Sequence, residues 1–305
     1  MISTTQKSRI AQEVKLMASK SSQKKVANEA GVSSALISQM LNMNWELISQ
    51  EMWKAIQANL HLDFDWQNAD TANFQALRFY LQTAQQESIS ISISEDAGRG
   101  KTHAYRHYKR MNDNVVHLEC KNIWTKKTYI KNLLMAAGLQ PIGNVQEMVE
   151  RLIKHLKTSH NPLVIIDQFD KLKDPQMDLF MDMYNDLDGN CGFVLSGVKA
   201  LRKKVMNGVN RDKIGYAELY SRIGRKFISL KPIEVKDVRL ICNANGVFEG
   251  DVVEYIHANS EGDLRRVKRD IEIHQKKNTA SIKNIEVNDA VVVAPEQQQE
   301  TMIEA

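Results

Sequence analysis

The 305 residues are 43% hydrophobic and 26% charged, with a formal net charge of +4. This composition is ordinary for folded protein and excludes a fibrous or wholly disordered chain, while the length suffices for about two or three domains. No stretch approaches the ~18 uninterrupted apolar residues that a membrane helix needs, and the polar N-terminus lacks the apolar core of a signal peptide. We therefore expect a cytoplasmic protein without a membrane partner.

Residues 1–62 predict an all-α domain that contains a helix-turn-helix. In the segment 23–41 (QKKVANEAGVSSALISQML), two short helical patterns flank Gly31, because a positive φ in a turn is cheap only for glycine. Ser33 can cap the second helix. That helix would present polar side chains on its exposed face, where they could contact DNA: Ser34, Ser38 and Gln39. A packing module that touches no DNA is the alternative.

Strand and helix patterns alternate through residues 88–231, after a predicted linker and helix over residues 63–87. The predicted strands are 88–94 (SISISIS), 115–120, 163–167 (LVIID), 193–196 and 227–230, and one of the predicted helices is 128–137. Such alternation predicts an α/β fold, a parallel sheet with helices on both faces. Residues 232–278 are predicted to form a separate helical lid, and residues 279–305 a flexible tail.

The segment 95–102 (EDAGRGKT) follows the first predicted strand and opens a helix, which is the setting of a P-loop. In a P-loop, backbone N–H groups and a helix N-terminus surround phosphates, while the lysine reaches the outer phosphates and the hydroxyl holds Mg²⁺. ATP and Mg²⁺ are therefore the predicted ligands. The predicted ATP-binding residues are Gly98, Arg99, Gly100, Lys101, Thr102 and Asp167. Glu95 replaces the first glycine of the pattern and places a carboxylate near an anion site.

Asp167 ends a buried strand, so it should lie at the carboxyl edge of the sheet, where α/β proteins bind ligands. We expect it to hold Mg²⁺ together with Thr102. Gln168 follows, where ATPases of this class usually carry the glutamate that polarises water. An amide can orient water but cannot accept its proton, so slow or absent hydrolysis is expected. A natural variant and an introduced Glu→Gln substitution both fit, and Asp170 is the next acid to test.

Three further polar residues complete the predicted catalytic set with Gln168. Ser196 ends a predicted strand, where a small polar side chain can contact the γ-phosphate or the attacking water. Arg222 precedes another strand and could act as an arginine finger toward a neighbouring subunit, with Arg225 as the alternative. Arg265, in a Gly-x-x-Arg pattern on the predicted lid, would bring a positive charge onto the nucleotide.

In this order, the motifs resemble those of AAA+ ATPases, and more closely those of the phage Mu B-type target-DNA activators of transposition. The resemblance covers roughly residues 20–278, with a helix-turn-helix pattern before the ATPase core and a short lid after it. It implies ATP-dependent filaments or rings of the protein on duplex DNA, which mark target sites and recruit or stimulate a transposase. A helicase-loader-like replication ATPase and a nucleotide-gated transcription regulator are the alternatives.

Two basic segments of the core are predicted to contact DNA. Ten Lys or Arg lie between residues 199 and 231 and nine between residues 99 and 131, each against two acidic residues. Such blocks suggest a polyanion partner, with a solvated helix face as the alternative. The loop after the second strand faces the central channel in AAA+ rings, which makes Lys121, Lys126 and Lys127 the first choice. Arg202, Lys203 and Lys204 are the second.

Overall fold

The structure, a computed structural model, describes residues 2–291 and the side chains of residues 2–277. The chain divides into two compact units after Ile233. The first unit contains a group of N-terminal helices and a sheet flanked by helices, and the second unit is helical. Within residues 2–291, no helix is long and apolar enough to cross a lipid bilayer.

Four α-helices make up the N-terminal part: α1 (Thr4–Lys20), α2 (Gln23–Ala30), α3 (Ser34–Leu41) and α4 (Gln50–Asn59). Each begins after a serine whose hydroxyl accepts a hydrogen bond from a backbone N–H of the first turn, which would otherwise be unpaired. Gly31 joins α2 to α3 with a φ of 69°. The apolar faces enclose Trp53, Ile37 and Met40, which are fully buried.

Five parallel strands form the sheet: β1 (Ser90–Ser94), β2 (Val115–Glu119), β3 (Leu163–Asp167), β4 (Gly192–Gly197) and β5 (Phe227–Ile228). Their order across the sheet is β2-β3-β4-β1-β5. All pairings are parallel, and Glu119 lies opposite Asp167 in the β2–β3 register. Because the strands are parallel, their carboxyl ends share one edge of the sheet.

Helices cover both faces of this sheet: α5 (Ala72–Gln86), α6 (Lys101–Met111), α7 (Lys126–Ala136), α8 (Val145–Thr158), α9 (Asp174–Leu187), α10 (Ala200–Asn210) and α11 (Tyr216–Arg222). Successive residues of β3 enter different cores, since Val164 and Ile166 belong to one apolar cluster and Leu163 and Ile165 to another. A strand buried on both faces has the continuous apolar pattern seen in its sequence. The predicted α/β fold with a parallel sheet is confirmed.

The second unit consists of three helices: α12 (Val235–Ala244), α13 (Gly250–Ser260) and α14 (Leu264–Val291). Val238, Val253 and Ile271 are among its fully buried residues. Helix α14 runs on into the range 279–305 that was predicted as a tail, whereas residues 292–305 lie outside the described part of the chain.

Three of the element boundaries that differ from the sequence predictions have a visible structural cause. The strand predicted from residue 88 begins at Ser90, because Ser88 has a φ of 49° and the N–H of Ile89 closes helix α5 on the carbonyl of Ala84. The strand predicted to reach Leu230 ends at Ile228, since the Leu230 N–H is bound by a side chain and not by the ladder. Helix α7 begins at Lys126, two residues earlier than predicted, after the cap Thr125.

Candidate nucleotide-binding site

The P-loop connects the carboxyl end of β1 to the first turn of α6. Gly98 and Gly100 adopt left-handed conformations, with φ values of 76° and 83°, and Gly100 is the residue that precedes the helix. Lys101 and Thr102 are the first two residues of α6, so the unpaired N–H groups of that helix start face the loop. This arrangement provides the backbone donors that bind phosphate.

The Lys101 ammonium lies against the inside of the loop. Its Nζ donates hydrogen bonds to the carbonyl oxygens of Glu95 at 2.7 Å and Asp96 at 2.8 Å. Burial lowers the pKa of Lys101, while attraction to Asp167 opposes that shift. The side chain is therefore held as a donor within the loop, where its positive charge could pair with a bound phosphate.

Glu95, the departure from the P-loop pattern, has a structural role. Its buried carboxylate accepts hydrogen bonds from the backbone N–H of Asp96 at 2.9 Å and of Leu230 at 3.1 Å. The Lys199 ammonium lies 3.5 Å from the same carboxylate. The carboxylate thus binds the segment after β5 and holds that segment against the P-loop.

Thr102 and Asp167 are in direct contact at the carboxyl edge of the sheet, where Thr102 Oγ1 donates to Asp167 Oδ2 at 2.5 Å. His117 Nε2, on β2, lies 3.8 Å from the same carboxylate oxygen. Burial would raise the pKa of Asp167, but its interactions with His117, with Thr102 and with the N–H of Gln168 lower it. The carboxylate therefore stays ionised. A hydroxyl and a carboxylate so placed fit Mg²⁺, which binds proteins through few ligands and takes the rest from phosphates and water.

Gln168 follows Asp167 in a left-handed conformation, with a φ of 56°. Its N–H donates to Asp167 Oδ1 at 2.8 Å, and its side-chain oxygen accepts a hydrogen bond from the Lys171 ammonium. Asp170, the nearby acid, is engaged elsewhere because its Oδ1 accepts the Val198 N–H at 3.3 Å. The side chain at position 168 is thus a half-exposed polar group directly after Asp167.

Ser196 is fully buried near the end of β4, and its Oγ accepts a hydrogen bond from Tyr105 Oη at 2.9 Å. The Tyr105 ring packs edge-on against His117, with the ring centroids 5.8 Å apart. Tyr105, on α6, thus joins Ser196 to the group around Asp167. Neither Tyr105 nor His117 was predicted from the sequence, although an ionisable histidine inside an apolar strand was a visible signal.

Similarity to known proteins agrees with this geometry. Residues 87–205 match an AAA domain family. The chain is 26% identical over 260 residues to the ATP-dependent target DNA activator B of Escherichia phage Mu, with 79% of each chain covered. The same figures hold for the activator B of Escherichia phage D108. The predicted resemblance to AAA+ ATPases of the phage Mu B type is confirmed. AAA domains are in general nucleotide-binding ATPases, and the P-loop, Thr102 and Asp167 all lie inside the matched range.

Arg222 lies outside the matched AAA segment, at the end of α11. Its Nη2 donates to Asn185 Oδ1 at 3.2 Å and lies 3.6 Å from Glu218, and its guanidinium lies 5.3 Å from the centre of the Tyr184 ring. The end of α9, which carries Asn185, leads to the amino end of β4, whereas the P-loop lies at the carboxyl edge. Arg222 is therefore not beside the P-loop of its own chain. Arg225 is exposed in the turn that follows.

Arg265 belongs to the second unit, where it is the second residue of α14. Its backbone N–H donates to Asp263 Oδ1 at 2.8 Å, and its side chain is exposed.

The predicted DNA contacts of the AAA core differ in their surroundings. Lys121, Lys126 and Lys127 are exposed, and the last two lie in the first turn of α7 and not in a loop as predicted. Arg202 and Lys203 are exposed on α10. Lys204 is half-buried, its ammonium donates to the carbonyl oxygens of Asp170 and Leu172, and burial lowers its pKa. Lys204 therefore supports the loop after β3.

The predicted DNA contacts of the N-terminal helices lie on α3. Ser34 is exposed, whereas Ser38 and Gln39 are half-buried. The other helix of the pair, α2, contacts the sheet-containing part of the chain, because Asn28 Nδ2 donates to the carbonyl of Gly138, after α7, at 2.9 Å.

Proposed function

We propose that this protein is an ATP-dependent DNA-binding ATPase that oligomerises on duplex DNA, selects target sites and activates a transposase. The observation that carries the proposal is the meeting of Lys101, Thr102 and Asp167 at one edge of the sheet. The similarity to the two phage activators, whose names give ATP dependence and target DNA, supplies the biological setting.

ATP would bind with its phosphates on the backbone N–H groups between Gly98 and Thr102. Lys101 would exchange its two carbonyl contacts for the β- and γ-phosphates, since a charged phosphate is a stronger acceptor than a neutral carbonyl. Arg99, in the same loop, is half-buried and adds positive charge there. Thr102 and Asp167 would hold Mg²⁺, whose charge offsets that of the phosphates.

Hydrolysis would depend on the residue at position 168. Gln168 can orient a water molecule through its amide but provides no base, so ATP would be held longer than by a chain with glutamate there. Ser196 would act through its hydrogen bond with Tyr105, because its buried hydroxyl is already engaged.

Arg222 would complete the site of a neighbouring subunit. Its contacts lie toward the amino ends of the strands, so it cannot serve the P-loop of its own chain, and a ring or filament would bring it to the next one. Arg265 would contribute a positive charge to the nucleotide from the lid. A nucleotide bound between subunits would make assembly depend on ATP.

DNA would be bound mainly through its phosphates. The exposed Lys121, Lys126 and Lys127 are the first contacts, with Arg202 and Lys203 as the second. Phosphate contacts carry no base information, so the core would bind DNA with little sequence preference. The polar face of α3 would add contacts if the helix pair α2–α3 works as a helix-turn-helix.

Electron microscopy of the protein with duplex DNA tests this proposal. We expect ordered rings or filaments on DNA with ATP and Mg²⁺, and none without nucleotide. A transposase stimulated by these assemblies, in a strand-transfer assay, would support the finer function. Particles that remain single in the presence of ATP and DNA would contradict it.

A further inference from the structure

An open groove of about 740 Å³ lies between the segment that follows β3 and the C-terminal half of α10. No P-loop residue lines it. The groove is bordered by five cations and two carboxylates: Lys171, Lys173, Lys204, Arg211, Lys213, Asp170 and Asp174. Its excess of positive charge calls for an anionic ligand.

Both carboxylates of the groove already accept hydrogen bonds. Asp174 accepts hydrogen bonds from Lys213 Nζ at 2.5 Å and from Tyr216 Oη at 2.8 Å. Asp170 accepts the backbone N–H of Val198. Asp174 is thus paired with a cation, and Asp170 is held by the backbone that follows β4.

Two of the cations are exposed and uncompensated. Within residues 2–277, the Lys173 ammonium and the Arg211 guanidinium have no hydrogen-bond or ion-pair partner. Lys204 and Lys171, by contrast, are bonded to carbonyl oxygens and to Gln168. The free charges thus stand at the two sides of the groove, one after β3 and one at the end of α10.

The groove is held open by tight packing beneath it. A side chain at Gly208 would place its Cβ 2.2 Å from the Tyr216 ring, so α10 and α11 approach as closely as glycine allows. The bonds of Tyr216 and Lys213 to Asp174 fix the same helices to the start of α9. The backbone that carries the two free cations is consequently fixed, which limits the backbone entropy lost on binding.

We propose that this groove binds the phosphate backbone of duplex DNA. Spaced cations on a preformed open surface suit a ligand with regularly repeated negative charges. The inference rests on the proposed function, and it adds Lys173 and Arg211 to the DNA-contacting residues. Lys173 and Gln168 both lie in the segment that follows β3, so DNA bound in the groove would contact the segment that carries Gln168.

The test compares Lys173→Ala with Arg211→Ala, combined in one variant, with Lys154→Ala combined with Lys157→Ala. The control pair is also exposed, and it lies near the end of α8, which leads to the amino ends of the strands. Binding of two unrelated labelled duplexes is measured by fluorescence anisotropy with ATP and Mg²⁺ across a salt series. ATP affinity is measured alongside.

The groove variant should bind both duplexes roughly 30-fold more weakly at 0.15 M salt, with a salt slope smaller by roughly 1.8 per protomer, because each lost contact removes about 0.9. The control variant should match wild type, and ATP affinity should not change in either. A groove variant that binds DNA as wild type does, with the same slope, overturns the inference while the proposed function stands. If that variant also no longer responds to a transposase, the groove binds an acidic protein, and the inference is again overturned. Wild type that binds no DNA refutes both.

Discussion

Replacing Glu95 by glycine would restore the first glycine of the P-loop pattern, yet the structure predicts that the change destabilises the protein. The Glu95 carboxylate is 8% exposed and accepts the N–H groups of Asp96 and Leu230. Without it, the Leu230 N–H is left buried and unpaired, while the half-exposed Asp96 N–H can be reached by water.

The size of the effect follows from these contacts. A hydrogen bond to a charged acceptor contributes about 1.5–3 kcal/mol, which applies to the buried Leu230 N–H, and the Asp96 bond adds about 1 kcal/mol. Glycine adds roughly 0.5–1 kcal/mol through its greater freedom in the unfolded chain. The Lys199 ammonium is 65% exposed, so its ion pair is counted as zero. The free energy of unfolding should therefore fall by about 3–5 kcal/mol.

Urea unfolding of the full chain measures this change, provided that the dependence on urea is the same for both proteins. The conservative variant Glu95→Gln keeps one oxygen acceptor and should lose roughly half as much free energy as Glu95→Gly. ATP affinity should not improve in Glu95→Gly despite the restored pattern. If Glu95→Gly unfolded at the same urea concentration as wild type, the structural role assigned to this carboxylate would be refuted.

Three further predictions concern catalysis, DNA binding and domain organisation. Gln168→Glu should raise phosphate release about 10²–10⁴-fold and shorten the lifetime of DNA-bound assemblies, because a carboxylate can accept the proton of water; equal rates would move the catalytic position, with Asp170 tested next. Lys126→Ala combined with Lys127→Ala should lower the salt slope of DNA binding by roughly 1.8, equally for unrelated duplexes, and an unaltered slope would place the contacts elsewhere. Deleting residues 1–62 should leave soluble protein that binds ATP, since β1 begins at Ser90, and loss of ATP binding would make the N-terminal helices part of the core.

The elements that were predicted well have local patterns in the sequence. The run over residues 163–167 is apolar throughout because β3 is buried on both faces, and its bounds match the prediction. Because the carboxyl ends of parallel strands share one edge of the sheet, Asp167 and Thr102 were expected to lie together. The two residues are 65 positions apart in the sequence and are in contact.

The features that were missed depend on tertiary neighbours. From the sequence, Glu95 could be recognised only as a departure from the P-loop pattern. Its structural role could not be predicted, because the N–H that it binds belongs to Leu230, 135 residues away. Lys204 was grouped with its basic neighbours, since its exposure depends on how α10 packs against the segment after β3. The pairing of Tyr105 with Ser196 required the position of α6 over β4, which no pattern of residues specifies.

Bound ATP is proposed to control the binding of this protein to DNA, and Lys101→Ala tests this control most directly. Binding of a labelled duplex is titrated by anisotropy with and without ATP and Mg²⁺, for wild type, Lys101→Ala and the exposed-lysine control Lys154→Ala. We predict that ATP tightens DNA binding by wild type and by the control, whereas Lys101→Ala keeps its nucleotide-free affinity at every ATP concentration. A Lys101→Ala protein that responds to ATP as wild type does, or a wild type whose affinity for DNA ignores ATP, would contradict the account.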